Sequence, residues 1–329
     1  MSGAKTGLWN RLFGTGDRKE PDAAKQATGA KARVVLDGSF LEIPSLGFFG
    51  QYARSPNGRF TLAWRDATHT EAGDARRTTP GRYLLIEGDE IIVQGRAERP
   101  HDGKVTDDGD FIINDWLHFT GELSGIFLAY RHDGSQIIAR RFEANLYNNG
   151  LSADGKLAVC QTCNAPNEDG SRLTIFDLEA GAEVGGCVPE SGWADRYEFP
   201  ASDRVRLVHR DRGAFDYALD GSFLGREQWI AASLERGDIY IVQKLLRDAG
   251  EQPPVELLER LLLGTTAALK SLEAKDGRYR ALAFKLQGTC LDGLGRGRKA
   301  LASYDAALAL DAKIGVKRRA EQLRKELTA

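Results

Sequence analysis

Ser152-Ala-Asp-Gly155-Lys-Leu-Ala-Val-Cys160 is a turn followed by a short apolar run, and the chain repeats it. Ser55-Pro-Asn-Gly58 precedes Phe60–Trp64, and Thr106-Asp-Asp-Gly109 precedes Phe111–Trp116. A degenerate copy, Pro200-Ala-Ser-Asp203, precedes Val205–His209, and the successive spacings are 51, 46 and 48 residues. A second turn interleaves with the first as Leu36-Asp-Gly38, Glu87-Gly88, His132-Asp-Gly134, Glu179-Ala-Gly181 and Leu219-Asp-Gly221. Asn-Gly and Asp-Gly tolerate the positive φ of a two-residue hairpin. Two hairpins in each repeat of about 47 residues describe a four-stranded antiparallel unit, the size of a propeller blade.

Over residues 34–224 this pattern resembles WD-repeat-like β-propeller proteins, without the Gly-His and Trp-Asp signatures of true WD repeats. Four full repeats and a leading half, 34–43, are expected. They would form either a small ring with an incomplete blade or an open twisted array of sheets, and a meandering antiparallel sandwich is the competing architecture.

The flanks read differently. Residues 1–33 are a tail with one apolar patch, Leu8, Trp9, Leu12 and Phe13, at helical spacing. The tail is read as disordered or as a short amphipathic segment. From residue 225 Ala, Leu, Lys, Glu and Arg rise and the pattern becomes helical. Asp238 is an expected N-cap, and Pro253-Pro254 opens a long amphipathic helix.

Further on, Phe284, Gly288, Leu291, Ala300, Tyr304, Ala307 and Ala312 fall at spacings that resemble one tetratricopeptide repeat over 281–314. The resemblance implies that Gly288 lets the first helix approach a neighbour, that Ala300 and Ala307 let the second pack, and that Tyr304 fills the gap between them. It also implies that the first helix lines a binding groove with Leu282, Lys285, Leu286, Thr289 and Asp292, with Arg296 beside it. The fold expected is therefore multidomain, β then α: a tail at 1–33, a propeller-like antiparallel β domain at 34–224, and a helical tetratricopeptide-like bundle at 225–329.

Composition bounds the function. There are 45 Lys and Arg against 47 Asp and Glu, a formal charge of −2, so the chain is not built around nucleic acid. The neutrality is an average: 1–33 and 313–329 each carry net +4, which leaves −10 between them. No apolar run approaches the ~18 residues that span a bilayer. No secretory signal is evident, and four cysteines are too few for a disulfide scaffold, so a cytoplasmic setting is expected.

Candidate chemistry is sparse. Cys160 and Cys163 have a C-x₂-C spacing but sit at a strand end with no matching second pair, so buried thiols are expected and no metal. Asp115 with His118, or His209 with Asp211, could act as acid–base pairs, though alternation along a strand separates Asp115 from Trp116. No nucleophile elbow or phosphate-binding loop is present.

The expected role is a non-enzymatic protein–protein adaptor without a cofactor. It would hold a protein or peptide through a β-domain face with Trp64 and Trp116, through the helical groove, and through a tail contact at Trp9 and Phe13. The alternatives are an enzyme with a pocket at the centre of the β domain, and a membrane-surface protein that makes a peripheral contact through residues 7–14.

Overall fold

The computed structural model describes residues 25–72, 75–117, 123–271 and 276–328. The chain divides into two compact units, residues 1–209 with 216–223, and residues 210–215 with 224–329.

The repeated turns build the first unit. Ser152 Oγ lies 2.7 Å from Asp154 Oδ1 and accepts from Leu157 N at 2.9 Å, and Gly155 N donates to Ser152 O with φ at +70°. Ser55, Asn57, Gly58 and Phe60 repeat the arrangement, with Gly58 at φ +74°. Ser55 N bonds Phe60 O, so four residues lie in the loop rather than two. The side-chain hydroxyl and carboxamide satisfy backbone groups that a shorter turn would leave inside the ladder.

Between these turns run three antiparallel sheets of meandering strands and one shorter one. In the first, β4 (Phe48–Arg54), β5 (Phe60–Arg65), β8 (Gly81–Glu87) and β9 (Glu90–Ala97) form the repeat, with the hairpin of β6 (Thr68–Ala72) and β7 (Ala75–Thr79) inserted. The second is β10 (Pro100–Val105), β11 (Phe111–Asp115), β12 (Gly125–Tyr130) and β13 (Gln136–Phe142). The third is β14 (Leu146–Leu151), β15 (Leu157–Thr162), β16 (Leu173–Asp177) and β17 (Ala182–Cys187). The fourth has three strands, β18 (Arg196–Ala201), β19 (Arg204–His209) and β20 (Gly213–Ala218). The architecture is propeller-like: consecutive antiparallel sheets stacked face to face.

The stacking explains the continuous apolar runs. Every residue of β11 and β12 is buried, because each side of the second sheet meets another sheet. Phe111, Ile113, Leu128 and Tyr130 pack on Leu62, Trp64, Tyr83 and Val93 of the first sheet. Ile112, Phe127, Ala129 and Phe142, on the other side, pack on Leu146, Ala158, Cys160 and Phe176 of the third. Hydrogen bonds between sheets recur near the repeat spacing: Asn57 N to Asp107 Oδ1 at 2.7 Å, Asn149 N to Asp102 Oδ2 at 2.9 Å, and Tyr197 Oη to Asn148 Oδ1 at 2.6 Å.

Three expectations need correction. First, part of the segment read as a tail is strand β1 (Lys25–Lys31), which pairs with β9. Its alternation is hidden by Lys, Gln and Gly in Lys25-Gln-Ala-Thr-Gly-Ala-Lys31. Second, the leading half-repeat does not begin another blade. β2 (Val35–Asp37) and β3 (Phe40–Ile43) add to β4, giving one seven-stranded sheet. Leu41, Ile43, Phe48, Ala63, Leu84 and Ile86 then form a core within that sheet's own far side. Third, the last unit lacks a fourth strand. Its outward face carries Glu198, Arg206 and Asp216, with Arg206 forked onto Asp216 at 2.6 and 3.1 Å. The apolar packing between sheets runs from the first to the second and from the second to the third.

The helical unit contains α1 (Arg226–Arg236), α2 (Ile239–Asp248), α3 (Val255–Lys270), α4 (Gly277–Gly293), α5 (Gly297–Leu310) and α6 (Lys317–Glu326). Asp238 caps α2 by accepting from Tyr240 N and Ile241 N, and Asp276 caps α4. The helix α4 packs against α3 and α5, and Leu291, Ala300, Tyr304, Val316, Ala320 and Leu323 bind α4, α5 and α6 into one core.

At Gly288 an added Cβ would lie 2.5 Å from the Tyr304 ring. Gly288→Ala is therefore expected to lower stability by roughly 1–3 kcal/mol through overpacking. Denaturant unfolding of the full chain, followed by helical circular dichroism, checks this; an unchanged midpoint would contradict it.

Candidate binding surface

In each of the first three sheets the turns described above lie at one end. The connections from sheet to sheet lie at the other. On that connecting end the structure places two pairs of rings, one stacked and one tilted, and polar residues around them are bonded to the backbone.

The first pair is His101 on Trp116, 3.9 Å between centroids and 19° between planes. Its floor is Asp115, whose carboxylate accepts from the backbone N–H groups of Glu98, Arg99 and Leu117. Those three bonds hold the connection from the first sheet to the second. Burial raises the Asp115 pKa, and the three bonds act against the rise. Arg99 lies over Trp116 at 5.7 Å and pairs with Asp66 at 3.2 Å. Asp102 follows with φ at +50°, an uncommon conformation for a residue with a side chain. It turns both its carboxylate and its carbonyl toward Asn149 of the next sheet.

The second pair is Tyr147 with Trp193, 5.4 Å between centroids and 31° between planes, with Tyr147 38% and Trp193 44% exposed. Trp193 belongs to the connection from β17 to β18. Its carbonyl lies 3.0 Å from His209 Nδ1, and Ala194 bonds Gln161 through its N–H and Asn148 through its carbonyl. Residue order gives little sign of this pair, because its members are 46 residues apart and only stacking of the sheets joins them.

The residues expected from the sequence are not gathered in one place. Trp64 is 7% exposed and belongs to the core between the first two sheets, so it forms no part of a partner face. Trp116 is half-buried in its stack. Trp9 and Phe13, with all of 7–14, lie outside the described residues, as does His118. The Asp115 carboxylate accepts three backbone N–H groups, and His209 Nδ1 lies 3.0 Å from the Trp193 carbonyl in the loop before β18. Burial raises the Cys160 thiol well above its ordinary pKa and pushes Cys187 up to about 11, and all four cysteines are free thiols. Among the described residues no group of three or more His, Cys, Asp and Glu side chains could hold a metal ion.

In the helical unit, Thr289 of α4 is exposed and Leu282 is half-buried. Leu286 is buried, which corrects its assignment to the groove. Lys285 Nζ donates to Ile314 O at 3.1 Å, and Asp292 takes a two-point contact from Arg319 of α6 at 2.6 and 2.7 Å. Arg296 is exposed and paired with Glu259. Three of the six expected positions thus hold α6 or the interior rather than a free groove.

One open cleft of about 490 Å³ lies at the turn end, lined by Ser152, Asp154, Lys156, Asp177, Glu179 and Phe199 among others. Asp154 and Asp177 accept backbone N–H groups of their own turns there, and Lys156 pairs with Glu179.

No protein-family model and no curated protein matches the chain. Solved structures that align with it include the C-terminal WD40 domain of Sif2, at 11% identity and TM-score 0.30, over 60% of this chain and 48% of that one. They also include the mitotic checkpoint complex, at 11% identity and TM-score 0.32, over 66% and 82%. The chain thus spans about half the length of the Sif2 domain. Among the described residues no helix is long and apolar enough to cross a membrane.

Burial holds the His101 imidazole below its ordinary pKa of 6.5. The unfolded chain takes up a proton that the folded chain resists. This contribution to stability is therefore present above about pH 6.5 and is lost as the pH falls below it. His101→Tyr, which keeps a ring on Trp116, is expected to flatten the decline in melting temperature between about pH 7 and pH 5. Parallel declines in the two proteins would contradict this.

Proposed function

We propose that the chain is a protein-interaction adaptor. One observation carries the reading: polar and charged side chains close on the backbone and on each other, while large apolar side chains stay outside at fixed positions. Phe40 stacks on Phe49 at 5.2 Å with the planes 8° apart, and Phe49 is 58% exposed. Tyr147 and Trp193 pair at the connecting end. In the helical unit Tyr240 and Leu263 are largely in solvent. Single exposed apolar residues are ordinary on a protein surface, but paired aromatic rings set on strands and a hydrogen-bonded loop have the composition and rigidity of interface anchors.

The tetratricopeptide likeness agrees with this reading. Gly288 against Tyr304, and the buried Ala300 and Ala307, support a close antiparallel pair of α4 and α5, with α6 covering its end. Only Leu282 and Thr289 of the expected groove are left for a partner on α4.

The test is capture of a stoichiometric partner from the native source by the full chain. Leu282→Glu with Thr289→Glu, or Phe49→Ser, is expected to reduce capture at least about tenfold, equivalent to ~1.4 kcal/mol. Lys285→Glu is unsuited, because it breaks the bond to Ile314 O and loosens the approach to α6. No captured partner, or equal capture by all the variants, would overturn the adaptor reading.

A further inference from the structure

We propose that Arg65, Arg82 and Arg96 form a binding site for a phosphate monoester dianion on the far side of the first sheet. This goes beyond the adaptor reading and does not depend on it.

The site follows from strand register. Arg65, the last residue of β5, lies directly opposite Arg82 of β8, and Arg82 lies directly opposite Arg96 of β9. Residues paired in this way share one face, with Cβ atoms about 4.5–5.5 Å apart. The face is the far side, because Ala63 and Leu84, two residues along from Arg65 and Arg82, belong to the core there. Three guanidinium groups thus stand in a row across three adjacent strands. Like charges directly opposite each other destabilise a sheet, so an anion that joins them relieves a strain built into the fold.

The described residues do not supply that anion. None of the three arginines has an ion pair or a side-chain hydrogen bond, and Arg65 Nε is buried without an acceptor. Other arginines of the β unit are matched: Arg131 with Asp110, Arg140 with Asp169, and Arg206 with Asp216. Beside Arg65 on the β4 side is Gly50, which has no side chain to offer. Asp66 follows Arg65 in the chain but pairs with Arg99. Glu98, two residues beyond Arg96, borders the row on the same face and pairs with none of the three. Burial, and then repulsion from Arg65 and Arg96, lowers the Arg82 pKa, and no carboxylate acts to raise it. Arg82 nevertheless stays a cation at neutral pH.

Charge and shape select the ligand. Three arginines bordered by one carboxylate leave a cationic excess that a dianion matches better than a monoanion does. Each guanidinium offers two parallel N–H groups to a pair of oxygens, and a phosphate monoester has three terminal oxygens to share among such forks. Arg96 is exposed while Arg65 and Arg82 are half-buried, so a ligand arriving from solvent meets partly desolvated charges. A phosphodiester, with one charge and two free oxygens, is a poorer match.

The experiment is isothermal titration calorimetry of the full chain at about pH 7.5, where a monoester is mostly the dianion. The probes are methyl phosphate and a capped seven-residue Gly/Ser peptide with one central phosphoserine. Dimethyl phosphate and the unmodified serine peptide are the references. Saturable binding of the two monoesters is expected, at least about tenfold tighter than the references and weakened by rising salt. A phosphoserine peptide that binds more tightly than methyl phosphate assigns the ester to a phosphorylated protein, and equal affinity assigns it to a small phosphate ester. Arg82→Gln and Arg96→Gln are each expected to weaken binding at least about tenfold. Without ligand, Arg82→Gln is expected to melt no lower than the parent, since it removes repulsion, and Arg96→Gln alters only an exposed group, so lost binding is not lost folding. No saturable binding of either monoester, or binding unchanged in both variants, would overturn the proposal. Dimethyl phosphate binding as tightly as methyl phosphate would also overturn it, and would point to a nucleic-acid backbone instead.

Discussion

The sheets of this protein cannot stand alone, because the internal ones are apolar on both faces. The second sheet shows the constraint most plainly: β11 and β12 contain no exposed residue. A free sheet of that composition would leave the apolar faces of Phe111, Phe127 and Tyr130 in water, at about 25 cal/mol for each Å². Stacking is thus the condition for folding. It explains why the repeats follow one another at nearly constant spacing and why the connections are short.

A stack must also end. At the N-terminal end β2 and β3 extend the first sheet, which then buries its far side with its own Leu41, Ile43 and Phe48. At the other end the fourth sheet turns Glu198, Arg206 and Asp216 outward. A charged outer face is the usual way a repeat array stops without recruiting another copy. Between the ends, polar seams set the register. Asn149 is tied to Asp102 across one interface, and Tyr197 bridges Asn148 and Gln161 across the next. The left-handed backbone at Asp102 is the local strain that lets one residue serve its neighbouring sheet twice.

Local chemistry was legible in the sequence, and long-range contact was not. The Ser-x-Asx-Gly turns announce themselves because hydroxyl, carboxamide and glycine lie within four residues of each other. Asp238 and Gly288 were readable for the same reason: a cap and a close helix approach each require a particular residue type. The strand β1 was missed because an edge strand tolerates Lys, Gln and Gly, and Lys25–Lys31 has no apolar alternation to mark it. Trp64 was misjudged because a tryptophan at a strand end has the same letter in a core as on a surface. Lys285 and Asp292 were assigned to a groove, yet their partners, Ile314 O and Arg319, lie 27 to 29 residues further along the chain. The Tyr147–Trp193 pair gives no local signal at all, since it exists only once two sheets have stacked.

The functional reading depends on the same constraint. Stacked sheets brace their connecting loops, and a braced loop can hold an indole in solvent. The central claim is that each sheet of the β unit is stabilised by its immediate neighbours. Native-state hydrogen exchange on Asn149→Ala, which removes the side-chain bond from residue 149 to the Asp102 carbonyl, tests this most directly. The account predicts faster exchange in β10–β17, with the amides of β5, β8 and β9 in the first sheet unchanged. Uniform loss of protection across every sheet would contradict it.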